Sequence, residues 1–541
     1  MTDHRSTFPL ILTSRGRQTT ASYLEQELAC YRGNPFIEAL PAIMTEEDAM
    51  EALARDPPYE NADRHLPAHL RLHAIQNALQ CFAPLPVHLD LEQRFSRMIR
   101  AGYQMRNPIA RNFWRNLDEN CENVKLSTTV VPNTAHSTPL GFTIIGFPGV
   151  GKSTSVEAVL SLYPQVIYHH LYRDRELNVA QLVWLKLECP HDGSVKGLCL
   201  NFFHTVDDLL GTNYGRNYAA GRRTTDELLP HMARLAALHG VGVLVIDEIN
   251  RLSGNKSGGA SKMLNFFVQL TNSIGVPVVL VGTFKAKSVL SGEFHQIRRG
   301  TGQGDLVWDR MEKGEWVDDP KEPAITQSPK PGVWQLLLES LWTYQYVKVP
   351  CPLTKELSDV LYEETQGITD FASKIYMLAQ VRAIVTARSP ADEIITTDII
   401  RSVARDSLRQ AQPVLTALRR GDDKFLSTVP DINPINADAF ILEARKKLPK
   451  DGKTVATNYP DDDPPTLHAH YGEPPRPNTN NKPASSKRRT KKVPNGDYAE
   501  KDLRAAVVKQ ARPNSPPFTT LENAGHIASA TEYLDQQEAK Q

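Results

Sequence analysis

The stretch GFPGVGKST, Gly146 to Thr154, constrains this chain more than any other. It follows the apolar run GFTII and leads into an apolar helical pattern, so it reads as strand, glycine-rich turn and helix. Gly146 is followed by four residues and then by Gly151, Lys152 and Ser153, which is the Walker A spacing. Gly149 and Gly151 let the backbone curl so that its N–H groups converge on phosphates, and the helix N-terminus adds partial positive charge. Lys152 would reach the terminal phosphates, and the Ser153 hydroxyl would take a Mg2+ position with Thr154 beside it. The ligand this pattern expects is ATP with Mg2+.

VLVIDEIN, Val243 to Asn250, supplies a second element. Its apolar residues suit a strand buried on both faces, yet it ends in two adjacent acids, Asp247 and Glu248. Carboxylates there are costly unless positive charge sits against them. Mg2+ and Lys152 offset that cost if Asp247 lies beside the phosphate loop and holds the metal, often through water. Glu248 would then orient and deprotonate the attacking water. Further on, VPVVLVGTF ends a buried strand in Thr283, where a hydroxyl would reach the γ-phosphate or the lytic water. FHQIRRGTGQGD places Arg298 and Arg299 before a glycine-rich turn. That pair reads equally as a solvated basic helix end and as an arginine finger inserted into a neighbouring subunit's nucleotide.

Along the chain the texture changes three times. Residues 1–125 are mixed, punctuated by proline and mostly helical, a region expected to dock a partner, with NPFIEALP (Asn34 to Pro41) reading as a short docking segment flanked by turn signals. Residues 126–345 alternate short apolar runs with amphipathic helices, the pattern of a parallel α/β sheet. Residues 346–418 are helical alone and would form a small lid, and residues 419–541 are rich in proline, asparagine and charge, as in a disordered tail. At 541 residues the chain exceeds a single core.

Lysine plus arginine equals aspartate plus glutamate at 62 each, so bulk charge argues neither for nor against nucleic acid. Only local patches could. The six cysteines show no framework spacing, and no window approaches the roughly 18 apolar residues of a membrane span. These features predict a cytoplasmic protein with no membrane partner.

The order Walker A, VLVIDEIN, VGT, paired arginines and helical lid resembles the AAA+ ATPases. More narrowly, NPFIEALP, YPQVIYH, GSVKGLCLNFF, SGGASKMLNFFVQLTNSIGVPVVLVGT and IRRGTG resemble the TnsC/TniB family of transposition regulators of heteromeric transposons. The resemblance spans residues 30–385. It implies an ATP-dependent homo-oligomer, a ring or helical filament, on double-stranded target DNA. Such an assembly links a target-selection protein or RNA-guided complex to transposase subunits, and hydrolysis resets it. By matching motif, Lys152 and Ser153 bind nucleotide and Mg2+, Asp247 and Glu248 are the Walker B pair, Thr283 is the sensor, and Arg298 or Arg299 is the finger. The chain departs from the pattern in its lid, where GITDFASKIY has Asp370 in the neighbourhood of the usual arginine and Lys374 as the nearest base.

Positive groups for DNA are sought near the sheet domain. Lys196 stands in the first turn of a helix, where a lysine is disfavoured unless it faces an anion. Arg222, Arg223, Arg251, Lys256 and Lys262 lie on adjoining loops, and the tail run SSKRRTKK (Ser485 to Lys492) is basic. Each is by itself an ordinary surface charge. Contacts of this kind reach backbone phosphates, so binding would be salt-sensitive and sequence-tolerant. Cys189, His191 and Cys199 lack a fourth zinc ligand nearby, and no strand-cleaving triad is visible. Two other readings keep the same motifs: an adaptor ATPase of the STAND type whose nucleotide is structural, and a helicase loader.

Overall fold

Short apolar runs separated by helices pair into one parallel sheet. A computed structural model of the chain describes residues 16–104, 106–110, 113, 141–219, 223–254, 259–286, 304–317, 331–421 and 437–447. All of these lie in residues 1–453, the first of two units into which the chain divides. The described strands are β1 (Gln18–Thr20), β2 (Gly141–Gly146), β3 (Val166–Tyr172), β4 (Arg175–Leu182), β5 (Trp184–Glu188), β6 (Val243–Asp247), β7 (Val278–Gly282) and β8 (Leu306–Trp308).

The central sheet has the order β5-β6-β7-β2-β8, and every pairing in it is parallel. Each residue of β2, β6 and β7 is buried, as in a sheet covered on both faces. Alternation along each strand divides the core. Val243, Val245, Val279 and Val281 join one apolar cluster, while Leu244, Ile246, Val278 and Leu280 join the other. Burying each such side chain contributes roughly 2 kcal/mol, so the register is set by which face finds its cluster.

The described α-helices before the lid are α1 (Pro35–Glu38), α2 (Glu46–Leu53), α3 (Ala68–Ala74), α4 (Pro86–Gln104), α5 (Lys152–Ser161), α6 (Val195–Leu210), α7 (Tyr214–Ala219), α8 (Thr225–Leu238) and α9 (Gly259–Gln269). Those that follow are α10 (Val333–Trp342), α11 (Lys355–Thr365), α12 (Thr369–Thr386), α13 (Thr397–Ser407), α14 (Gln412–Arg420) and α15 (Ala437–Lys447). Residues of α4 and α5 share the first cluster with those of α11 to α14, and α6, α8 and α9 cover the second.

The N-terminal region is built into this core. β1 pairs in parallel with β3, and β4 closes the small sheet antiparallel to β3. The β3–β4 hairpin turns at Arg173 and Asp174, both with positive φ (45° and 63°), as a type I′ turn requires. NPFIEALP docks within the chain itself. Asn34 caps α1, Phe36 packs on Tyr103 and His169, and the buried Glu38 carboxylate accepts from the Tyr172 hydroxyl at 2.8 Å. Farther along, the buried Arg71 guanidinium pairs with Glu393 and donates to the Tyr346 carbonyl, tying α3 to the lid side. No helix among the described residues is long and apolar enough to cross a membrane.

Candidate nucleotide site

The site forms where open parallel sheets bind ligands, at the carboxyl ends of the strands. β2 ends in Gly146, whose missing Cβ matters. A Cβ there would come 1.9 Å from the Trp308 carbonyl oxygen of the neighbouring β8. The turn then curls through Gly149 and Gly151 at φ +78° and +91°, backbone that L side chains rarely adopt. Gly151 is the N-cap of α5, and Lys152 opens the helix. The Lys152 ammonium is buried and donates to the carbonyls of Gly146 (3.1 Å) and Phe147 (2.6 Å). Ser153 is half-buried beside it and Thr154 is exposed.

β6 brings Asp247 to the same edge, buried to 5% exposure. Its Oδ1 accepts the Glu248 N–H at 2.8 Å. Glu248 has φ +57°, a left-handed backbone that costs a non-glycine residue about 1 kcal/mol. That geometry bends the chain sharply as it leaves the strand. The Glu248 carboxylate accepts from the side-chain amide of Asn250 at 3.1 Å. β7 lies between β6 and β2 and is followed directly by Thr283, whose Oγ1 is buried with no hydrogen-bond partner among the described residues.

The sequence by itself did not indicate two contacts of the site. Lys186 of β5 stands 3.1 Å from Asp247 and 2.5 Å from Glu157 of α5. Burial pulls its ammonium down, but the two carboxylates outweigh this and hold its pKa above the ordinary lysine value. An apolar strand with one lysine gave a signal, but only the register tells which face that lysine takes. The other contact joins α12 to the glycine turn. Thr369 Oγ1 and the Asp370 N–H both donate to the Gly149 carbonyl at 3.0 Å, and Lys374 pairs with Asp370 at 2.8 Å. The base nearest the missing lid arginine is therefore held by the acid one helical turn before it.

These residues suit ATP with Mg2+. The glycine turn and α5 offer N–H groups, and the orphaned Thr283 hydroxyl needs an acceptor or donor from outside the described chain. Ser153 and Asp247 offer the metal few protein oxygens, which fits a Mg2+ that keeps waters and takes phosphate ligands. No group of three or more His, Cys, Asp or Glu that could hold a metal occurs among the described residues.

Arg298 and Arg299 lie outside the described residues, as do Arg222, Lys256 and the side chain of Lys262. Lys196 and Arg223 come together at the start of α6 and before α8, where the Lys196 ammonium donates to the Arg223 carbonyl at 3.0 Å. The Arg223 guanidinium lies over Tyr218, which stacks on His231 at 4.3 Å. Arg251 instead turns to Glu188 (3.1 Å) and the Cys189 carbonyl (2.7 Å), a local tie at the strand ends.

Residues 135–290 match the family described as AAA domain. No curated protein sequence matches the chain significantly. Among solved structures, the chain is similar to the Aeropyrum pernix ORC1 protein in complex with DNA, at 14% identity and TM-score 0.32, covering 57% of this chain and 78% of that one. It is also similar to the Aeropyrum pernix ORC2 protein at 12% identity and TM-score 0.31, covering 63% and 87%. A Walker-type ATPase of Pyrococcus abyssi gives 14% identity and TM-score 0.29, covering 62% and 87%. Likenesses this low say nothing of what the chain binds. The family match, the five-stranded parallel sheet and the glycine turn at its edge agree: residues 135–290 are an AAA-type P-loop ATPase domain.

Proposed function

We propose that the chain is an ATP-dependent regulator of DNA transposition. In this reading it oligomerises on double-stranded target DNA, links a target-selection factor to the transposase, and disassembles on hydrolysis. The observation that carries the ATPase is the meeting of Lys152, Asp247, Glu248 and Thr283 at one sheet edge. The transposition role draws on the sequence resemblance spanning residues 30–385.

In the proposed mechanism, the loop from Gly146 to Thr154 grips the phosphates. Lys152 leaves its carbonyl partners for the terminal phosphates. Ser153 and Asp247 would hold Mg2+, which would supply positive charge to offset the phosphates. Glu248 orients the attacking water and takes its proton, and Thr283 fixes that water or the γ-phosphate. Arg298 or Arg299 would complete a neighbour's site. Lys196 and Arg223, adjacent on one surface, would contact the DNA backbone together with Arg222, Lys256 or Lys262.

Electron microscopy with a short duplex tests this. Rings or filaments around DNA with ATP, absent with ADP, lost in Lys152→Ala and persistent in Glu248→Gln, support it. Particles that bind ATP but ignore DNA in every state overturn it. The other reading of the same motifs is an adaptor that keeps its nucleotide. Phosphate release no faster in the wild type than in Glu248→Gln, with DNA present, would favour that adaptor.

A further inference from the structure

β5 reads WLKLE, and its lysine faces the phosphate-loop helix. Lys186 pairs in register with Val245, so it shares a sheet face with Asp247 two residues farther along β6. Its ammonium is 3.1 Å from Asp247 and 2.5 Å from Glu157 on α5. The Lys186 and Asp247 side chains are only 18% and 7% exposed. A carboxylate this far from water requires a positive partner, and removing one member of such a pair leaves an uncompensated buried charge.

We propose that Lys186 is the resident counter-charge of Asp247, a positioning residue that holds this acid against α5 when no divalent cation is bound and shares it with the cation afterwards. The inference rests on the reading of Asp247 as a Mg2+ residue. It gives Lys186 a signature that a packing lysine lacks. Without its ammonium, Asp247 depends on metal for compensation, so the cost of losing Lys186 is large in chelator and small with Mg2+ and nucleotide. Glu157 is less affected, since its side chain is 38% exposed and keeps contact with water.

The test is thermal melting of the full chain in EDTA and in saturating Mg2+–ADP. The proteins compared are wild type, Lys186→Met, Lys186→Arg, Asp247→Asn and the double variant Lys186→Met/Asp247→Asn. In EDTA, Lys186→Met is expected to melt about 5 °C or more below wild type. Lys186→Arg should stay close to wild type, because it keeps the charge. The double variant should regain at least half of the deficit, because the buried carboxylate is gone. In Mg2+–ADP the Lys186→Met deficit should shrink by at least half.

A deficit equal in both conditions, with no recovery on adding Asp247→Asn, overturns the proposal and leaves Lys186 a packing residue. If Lys186→Met does not fold, the double variant decides. A folded double variant supports the proposal, and failure of both while Asp247→Asn folds overturns it. A wild type that shows no shift with Mg2+–ADP would instead sink the nucleotide reading, while the comparison in EDTA still decides the pair.

Discussion

The Thr369 hydroxyl, at the start of a lid helix, donates a 3.0 Å hydrogen bond to the carbonyl of Gly149 in the phosphate loop. The Asp370 N–H reaches the same oxygen, so the first turn of α12 rests on the turn proposed to hold phosphate. Lid position and loop shape are therefore linked through one carbonyl. Thr369→Val should weaken ATP binding about threefold, the size of one modest hydrogen bond, with melting near wild type. Titration with a fluorescent nucleotide measures it, and unchanged affinity would show that the loop holds its shape without the lid.

Asn250 is buried and its amide holds the Glu248 carboxylate at 3.1 Å. If Glu248 is the base, that bond aims it. Asn250→Ala should lower kcat about tenfold and leave KM within about twofold, the pattern of an interaction felt in the transition state. Steady-state phosphate release reads both constants. A change confined to KM would place Asn250 in binding instead.

Arg71 and Glu393 form an ion pair at 2% and 6% side-chain exposure, joining residues far apart in the chain. Breaking a buried pair by removing one partner costs about 3–5 kcal/mol. Arg71→Ala should lower the urea midpoint clearly, whereas Lys196→Ala, on the surface, should not. Equal effects from the two would mean that the pair adds no stability.

Burial against Phe82 and Trp308 pushes the His88 pKa down to about 4, and its Nδ1 accepts the Leu85 N–H at 2.9 Å. The folded value lies below the unfolded one of about 6.5, so the unfolded chain binds the extra proton between them. This contribution to stability is full above about pH 6.5 and is lost as pH falls toward 4. From pH 7 to pH 5 the loss from His88 is about 2 kcal/mol. Urea titrations of His88→Gln should show a shallower decline over that range than wild type. His169 and His239, also lowered by burial, keep some of the slope in both proteins. Identical slopes would show that His88 does not titrate differently on unfolding.

What the sequence determined by itself is local. Gly149 and Gly151 announce a left-handed turn, and the all-apolar run before Asp247 announces a strand buried on both faces, because φ and ψ limits and burial act on neighbouring residues. The alternation of strand and helix likewise announced a parallel sheet, and the family match over residues 135–290 agrees with it. Only the tertiary structure decided which of those strands are neighbours. It placed β7, with Thr283 at its end, between the strands of Gly146 and Asp247, and it turned Lys186 toward Asp247. It also packed NPFIEALP, read as a short docking segment, against the chain's own Tyr103 and His169, and it set Thr369 on Gly149. Each of these joins residues distant in sequence, and the choice rests on which apolar faces bury each other and in what register. A one-residue slip in β5 would send Lys186 to the opposite face with its local sequence unchanged.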